Sequence, residues 1–487
     1  MNSAQALETA LPAGGHRVLN FVSRRRDTEY SLGQFLWSGF DYLGEPTPYH
    51  GRNSYFGQVD TAGFQKDAFY MYQAGWTEYR VKPMIHIFPY WDFNPGQVID
   101  VRVVSNAPEI ELFVNGVSQG RVKLDHKSVT KLTGDWQIPY VPGELYAVAY
   151  DEKGKVIAED TRESFGDAAE IWLEAEKTVI AADDEELVFL TISMRDAEGN
   201  PVENANNRVQ VKVSGAGMLA GLDNGDSTDR DQYQTESKRL FNGKLLAVVR
   251  SNGAAGEIEV SVTSEGLPGA VLTITAESVG EPGSKAEATT SGNIYRLRKN
   301  QPEAVIVPIR KIELVPQGPT VLNEECTTTK IKAVIYPEQA DCQELVWRVT
   351  DDAGVDSTFA SIRWEKENST EAVIEVKGDG TFRVRCMCKN GKSAFDLISV
   401  LEYRAEGLGR RNLNPYEFLS ASLFSATGGV IGNGNERGIS TQRDGVSWVA
   451  YDHLDFGEFG SDEVEIPVFS FGGATPFTFW EGIPHAE

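Results

Sequence analysis

From about residue 80 to 404 the chain reads as a succession of short runs in which apolar and polar residues alternate with a period of two, punctuated by Gly, Asn, Asp and Pro. Side chains of a strand point alternately to its two faces, so each run buries one face, and many such short runs pack as sheet against sheet. Gln97–Val104 (QVIDVRVV) and Ile110–Val114 (IELFV) are the clearest, and Asn115-Gly116 after them predicts a tight hairpin turn. With the Trp136 segment and Leu145–Tyr150 they make seven or so strands, an immunoglobulin-like sandwich over residues 80–167. A second sandwich over 168–276 opens at Trp172–Ala175, continues through Leu187–Arg195 and turns at Asp196–Pro201. Residues 277–305, poor in large apolar side chains and rich in Gly, Ser, Thr and Glu, read as a linker. A third sandwich over 306–404 is expected from strands at Lys311–Val315, Lys330–Ile335, Leu345–Val349, Ala372–Val376 and Thr381–Cys386.

With 487 residues, 41% of them hydrophobic, there is room for about three to five domains, each with a core. A net charge of −25 excludes nucleic acid as a natural partner, because phosphate binding needs a basic surface. No apolar run approaches the ~20 residues of a membrane span, and the first residues, with Glu8 and Pro12, do not read as a signal peptide. Cys326, Cys342, Cys386 and Cys388 read mostly as buried thiols, one disulfide involving Cys326 or Cys342 staying open. Asp223, Asp226, Asp229 and Asp231 could offer oxygen ligands to Ca²⁺, but no ligand ladder is visible, and a solvated loop is the reading adopted. The six histidines lack metal-ligand spacing, and there is neither a phosphate-binding glycine loop nor a nucleophile elbow, so no metal and no cofactor is expected.

One stretch differs from the β grammar. In Leu32–Asp67 an apolar run to Trp37 breaks at Ser38-Gly39 into a loop with Asp41, Glu45 and His50; a second run, Tyr55–Val59, leads through Asp60-Thr61 to a helix with Phe69, Tyr72 and Trp76. Strand, polar loop, strand and helix is the arrangement at the carboxyl rim of an α/β barrel. Trp37 beside Asp41 and Glu45 suits a sugar, since a flat indole covers the C–H face of a pyranose while carboxylates accept its hydroxyl hydrogens; the alternative is a buried strand with solvated loop acids.

The sequences WSGFDYLGEPTPY, SYFGQVDTAGFQKDAFYMYQ and HIFPYWDFNPGQVIDVRVVSN resemble the end of the catalytic barrel in glycoside hydrolase family 2, in particular the multidomain β-galactosidases of bacteria. The resemblance implies a mainly β chain in which residues 1–79 are the truncated end of a TIM barrel, followed by the three sandwiches. It further implies that 405–487, with Trp448, Asp455-Phe456-Gly457 and Ile466-Pro467, form part of a jelly-roll carbohydrate-binding module of the galactose-binding type. Trp37 matches a tryptophan that walls the galactose pocket, Asp41 and Glu45 match acids of the following loop, and Trp91 matches an aromatic packed at the barrel, a core or interface residue. Family enzymes use two glutamates about 5 Å apart. The acid/base has no counterpart here; Glu8-Thr9-Ala10 resembles the nucleophile context superficially, but the motif does not continue through Leu11-Pro12, and residues 1 to about 26 do not resemble the family.

The reading is therefore a carboxyl-terminal portion, cut at both ends, of a retaining β-galactosidase acting on β-galactosides or related glycans, secreted or at the surface of a bacterium. Trp37, Asp41 and Glu45 are its substrate-binding candidates, no catalytic residue is assigned, and the chain alone is expected to be inactive. The rival is a non-catalytic carbohydrate-binding or adhesion chain.

Overall fold

The computed structural model describes residues 35–46, 51–127, 131–278, 297–300, 305–341, 344–351, 354, 356–366, 369–390, 396–433, 438–441, 446–458 and 460–467. Glu8, Arg24 to Arg26, His50, Cys342, Trp480 and most of the expected linker lie outside them. The chain divides into two compact units: Met1–Glu313 with Val334–Leu345 and Met387–Ser399, and Leu314–Ala333 with Val346–Cys386 and Val400–Glu487.

The first unit holds the first two sandwiches. In the first, a sheet ordered Ile85–Phe88, Val98–Ser105, Thr133–Pro139 faces one ordered Val117–Lys123, Glu109–Val114, Glu144–Tyr150, Val156–Glu163. The alternation read from the sequence is the observed burial: Ile99, Val101 and Val103 turn inward to meet Ile110, Leu112, Leu145 and Ala147. Asn115 and Gly116 both adopt left-handed backbone, the conformation that two-residue hairpins require, and join Val114 to Val117. Trp91, expected as a core or interface residue, is fully enclosed in this core, edge-on to Tyr140 at 5.0 Å, with its indole N–H donating to the Val141 carbonyl at 3.1 Å.

The second sandwich sets a four-stranded sheet (Gly217–Asp223, Lys244–Ser251, Leu187–Arg195, Glu170–Ala175) on a five-stranded one (Ser237–Arg239, Arg208–Gly215, Gly256–Ser264, Ala270–Glu277, Val179–Ala181). Val179–Ala181 pairs parallel to Ala270–Glu277, whereas the other pairings are antiparallel. Its core, from Val188, Leu190 and Ile192 across to Val211, Val260 and Ile274, is apolar throughout.

Lys311–Pro316, Thr328–Tyr336, Glu371–Val376 and Ala360–Arg363 form one further sheet, and Val321–Leu322, Asp396–Ala405, Gly380–Lys389 and Leu345–Thr350 another. The five strands expected between residues 306 and 404 are all present. Within the second unit Trp347, Ile374, Phe382 and Tyr403 are buried, the last two rings stacked at 5.9 Å. Cys386 and Cys388 are buried as their same-face spacing suggested, and Cys326 is half-buried. Beyond Ala405 the described residues form two two-stranded ribbons, Ala426–Gly428 with Trp448–Ala450 and Ile431–Asn433 with Ile439–Thr441.

The barrel-like segment takes a different form from its pattern. Neither apolar run becomes a strand among the described residues, where two isolated parallel bridges occur, Phe40 with Val59 and Gly44 with Asn53. Parallel strands gain their stability between two partners and under helices on both faces, and neither run has that cover among the described residues. The helix does form, as α1 (Asp67–Trp76), and buries Met71, Tyr72, Ala74 and Gly75. Met71 and Ala74 join Phe88, Val104 and Leu132 of the first sandwich, while Trp76 stays largely exposed.

Candidate functional site

The loop after Trp37 is held by its own backbone. Gly39 accepts the N–H groups of Gln58 and Val59, each at 3.0 Å, and Asp41 N–H donates to the Val59 carbonyl at 2.9 Å. The crossing is so close that a Cβ on Gly57 would fall 2.0 Å from the Asp41 nitrogen, so only glycine fits there. Gly44 and Glu45 follow in left-handed backbone and reverse the chain.

On this frame the structure brings two of the three candidates together. The Trp37 indole N–H donates to the Tyr42 hydroxyl at 3.1 Å, and that hydroxyl donates to Glu45 Oε2 at 2.6 Å. The two rings meet edge to face at 5.9 Å. Trp37 is 74% exposed, so an indole face and a carboxylate, joined by a phenol, are open to solvent on one loop. The peptide between Trp37 and Ser38 is cis.

Asp41 goes elsewhere. Its side chain is 1% exposed, and the Lys66 ammonium lies 2.7 Å from its carboxylate oxygens, with the Gly57 N–H at the same distance. Burial lifts its carboxyl above the ordinary aspartate range, against the pull of Lys66 and the Gly57 N–H. A carboxylate so enclosed cannot reach a sugar hydroxyl; it ties the Trp37 loop to the start of α1. Tyr42 was missed in the sequence, where nothing sets it apart from its aromatic neighbours, and so was Lys66.

The acidic loop of the second sandwich is not the solvated loop that its composition suggested. Asp229 is paired with Lys238 at 2.8 Å and Asp231 with Arg208 at 2.8 Å, and Lys238 is 1% exposed. At Asp229 and Asp231 these cations use oxygens that a divalent ion would need, and no group of three or more metal-ligating side chains occurs among the described residues.

A concavity in the first unit, about 380 Å³ in volume, is lined by Tyr140, Phe165, Asp92, Arg310, Lys311 and Tyr336 among others. Its buried charges satisfy one another: Arg310 lies 2.6 Å from Asp92 and 2.7 Å from Asp167, and Lys311 reaches Asp92 at 2.6 Å. Such an arrangement fixes the segment around Arg310 and leaves the ions no call on a ligand.

Known families match on the sandwiches. Residues 171–273 match the model for glycoside hydrolase family 2 C-terminal domain 5, and residues 96–158 match a domain of unknown function. The β-galactosidase BoGH2A of Bacteroides ovatus is 42% identical over 257 residues, 52% of this chain and 29% of that protein. A β-glucuronidase of Formosa agariphila is 25% identical over 240 residues, 44% of this chain and 22% of that one. Among solved structures, a β-glycosidase from Bacteroides vulgatus is 32% identical with a TM-score of 0.46, covering 49% of this chain and 30% of the other. The chain thus spans less than a third of the length of these relatives. With a family 2 C-terminal domain as its second sandwich, the chain is a partial region of glycoside hydrolase family 2.

Proposed function

We propose that this chain is the carboxyl-terminal portion of a retaining β-galactosidase, in which Trp37 walls the sugar site and Glu45, oriented by Tyr42, accepts a sugar hydroxyl. The relatives include both β-galactosidases and β-glucuronidases, so the choice must come from this chain's own chemistry. The observation that carries it is the absence of an available cation. A glucuronide presents a carboxylate, which needs an Arg or Lys partner. Among the described residues from 35 to 66 the cations are Arg52 and Lys66. Lys66 is committed to Asp41 and to the Tyr55 carbonyl, and Arg52 to the carbonyl of Asp231. The Trp37 indole faces solvent, and its flat apolar face favours a neutral pyranose.

Retaining hydrolysis needs an acid/base and a nucleophile on opposite sides of the anomeric carbon. Asp41 is enclosed by Lys66 and the Gly57 N–H and is assigned neither role, and on this reading this chain alone is inactive. The rival, a non-catalytic glycan-binding chain, shares the sugar contact and differs in the parent's activity.

Purified chain incubated with aryl β-galactoside and aryl β-glucuronide should turn over neither, while galactose should broaden or shift the Trp37 indole resonance more than glucuronate does. Turnover abolished by Glu45→Gln would make Glu45 catalytic and overturn the assignment. A stronger response to glucuronate would overturn the choice of sugar.

A further inference from the structure

The loop Asp223–Tyr233 of the second sandwich lies against the segment that carries Trp37. The Ser227 carbonyl accepts the N–H groups of Arg52 at 2.7 Å and of Asn53 at 3.0 Å. The Arg52 guanidinium donates to the Asp231 carbonyl at 2.9 Å and sits 4.6 Å over the Tyr233 ring. Asn53 Nδ2 donates to the Tyr233 hydroxyl at 3.0 Å. Gly225, with φ +74°, comes so near that a Cβ there would lie 2.1 Å from Asp60 Oδ2.

These contacts lead directly to the sugar-site loop. Asn53, 2% exposed, is bridged to Leu43 and Gly44, and the next residue, Ser54, donates its N–H to the carbonyls of Tyr42 and Gly44, each at 3.1 Å. Tyr42 and Glu45 are therefore one hydrogen-bonded layer away from Ser227. The supporting loop is itself stiff. Lys238 and Arg208 pin Asp229 and Asp231, and Asn224 Nδ2 bonds Asp229 Oδ2 at 2.9 Å and the Arg239 carbonyl at 3.1 Å. Burial alone would raise the Asp229 carboxyl, but Lys238 and these hydrogen bonds bring it below its ordinary value.

Resting on the sugar-site reading above, we propose that the second sandwich is the positioning element of that site: its Asp223–Tyr233 loop, through Arg52 and Asn53, holds the Trp37–Glu45 loop in register. Arg52 is a positioning residue, since it touches no sugar and acts through Asn53, Ser54 and Tyr42. The segment 35–60 has no strand among its described residues, so anchorage from outside must supply the order that sheet neighbours would give. Arginine suits the task because its planar fork can donate to backbone carbonyls while stacking on a phenol ring.

Hydrogen exchange by mass spectrometry on the whole chain tests it, with Arg52→Ala, Arg52→Lys and Tyr233→Phe beside the parent. In Arg52→Ala the amides of Asp41, Ser54 and Val59 should exchange at least about tenfold faster, a loss of ~1.4 kcal/mol in local opening. Arg52→Lys should restore part of this and Tyr233→Phe should lose less. The strands Leu187–Arg195 and Lys244–Ser251 serve as internal controls and should be unchanged, and the Trp37 indole resonance should move with the loop. Unaltered exchange at Asp41, Ser54 and Val59 in Arg52→Ala would overturn the positioning role. Faster exchange there, with no response of the parent to galactose, would uphold the positioning and overturn the sugar-site reading on which its purpose rests.

Discussion

Trp37 and Trp91 stand in similar sequence, each amid aromatics with an aspartate close behind, yet one is 74% exposed and the other fully buried. Neither its own residue type nor its immediate neighbours separates them. Trp91 is followed by Val98–Ser105 and Glu109–Val114, whose inner faces supply Ile99, Val101, Ile110 and Leu112 to enclose it. Trp37 is followed by a glycine, a buried ion pair and a left-handed turn, none of which offers apolar surface. An aromatic signal becomes core or contact surface according to whether the chain nearby alternates.

The largest expected effect lies on the buried side of this comparison. Trp91→Ala removes an indole from a closed core and leaves the Val141 carbonyl without its donor, so the first sandwich should lose ~3 to 5 kcal/mol. Urea unfolding followed by hydrogen exchange at Val101 and Leu112 measures it. A loss below ~1 kcal/mol would mean that the core collapses around the gap and that enclosure is not what distinguishes the two tryptophans.

Most of the sandwich architecture was legible, because period-two burial is a local property: Leu187–Arg195 could be read to the residue, and Asn115-Gly116 gave its hairpin. What escaped was pairing over distance. Lys66 is 25 residues from Asp41, Arg52 is 179 from Asp231, and Arg310 is 218 from Asp92. A charge carries no periodic mark of its partner, so Asp229 and Asp231 looked like solvated acids although Lys238 and Arg208 enclose them. The Leu32–Trp37 run shows the converse limit. Its apolar pattern asks for a strand, but a parallel strand depends on neighbours that the pattern cannot supply.

A second expected effect distinguishes the segments by pH. Asp60, at the turn before α1, is buried, and burial raises its carboxyl to about 6, with Asp223 adding to the rise and the N–H groups of Phe64 and Ala62 and the charge of Lys66 opposing it. A carboxyl raised in the folded state binds its proton there at a pH where the unfolded chain has lost it. Its contribution is therefore favourable at low pH and declines as pH climbs from about 4 to about 6. A shift of about two units corresponds to at most ~3 kcal/mol across that window. The local opening free energy of the Asp41–Phe64 segment, from exchange corrected for intrinsic rates, should fall over this range in the parent and stay flatter in Asp60→Asn. Equal slopes in the two proteins would show that Asp60 is solvated in solution and that this segment is more open than its contacts with Gly225 imply.

The smallest effect on folding belongs to Trp37. Removing a side chain that is 74% exposed takes away an edge contact with Tyr42 and one hydrogen bond, and substitutions of that kind usually change stability by no more than ~0.5 kcal/mol. If the indole is a sugar platform, Trp37→Ala should nevertheless weaken the response to galactose by ~1 kcal/mol, roughly fivefold, because a stacking face is worth that much without any role in the core. Exchange at Asp41 and Val59 should be unchanged, since their N–H groups donate to the Val59 and Gly39 carbonyls and do not involve the indole. Two outcomes would reverse the contrast with Trp91. Faster exchange at Asp41 and Val59 would make Trp37 a structural residue despite its exposure, and an unaltered galactose response with intact exchange would leave the exposed indole without a part in sugar binding.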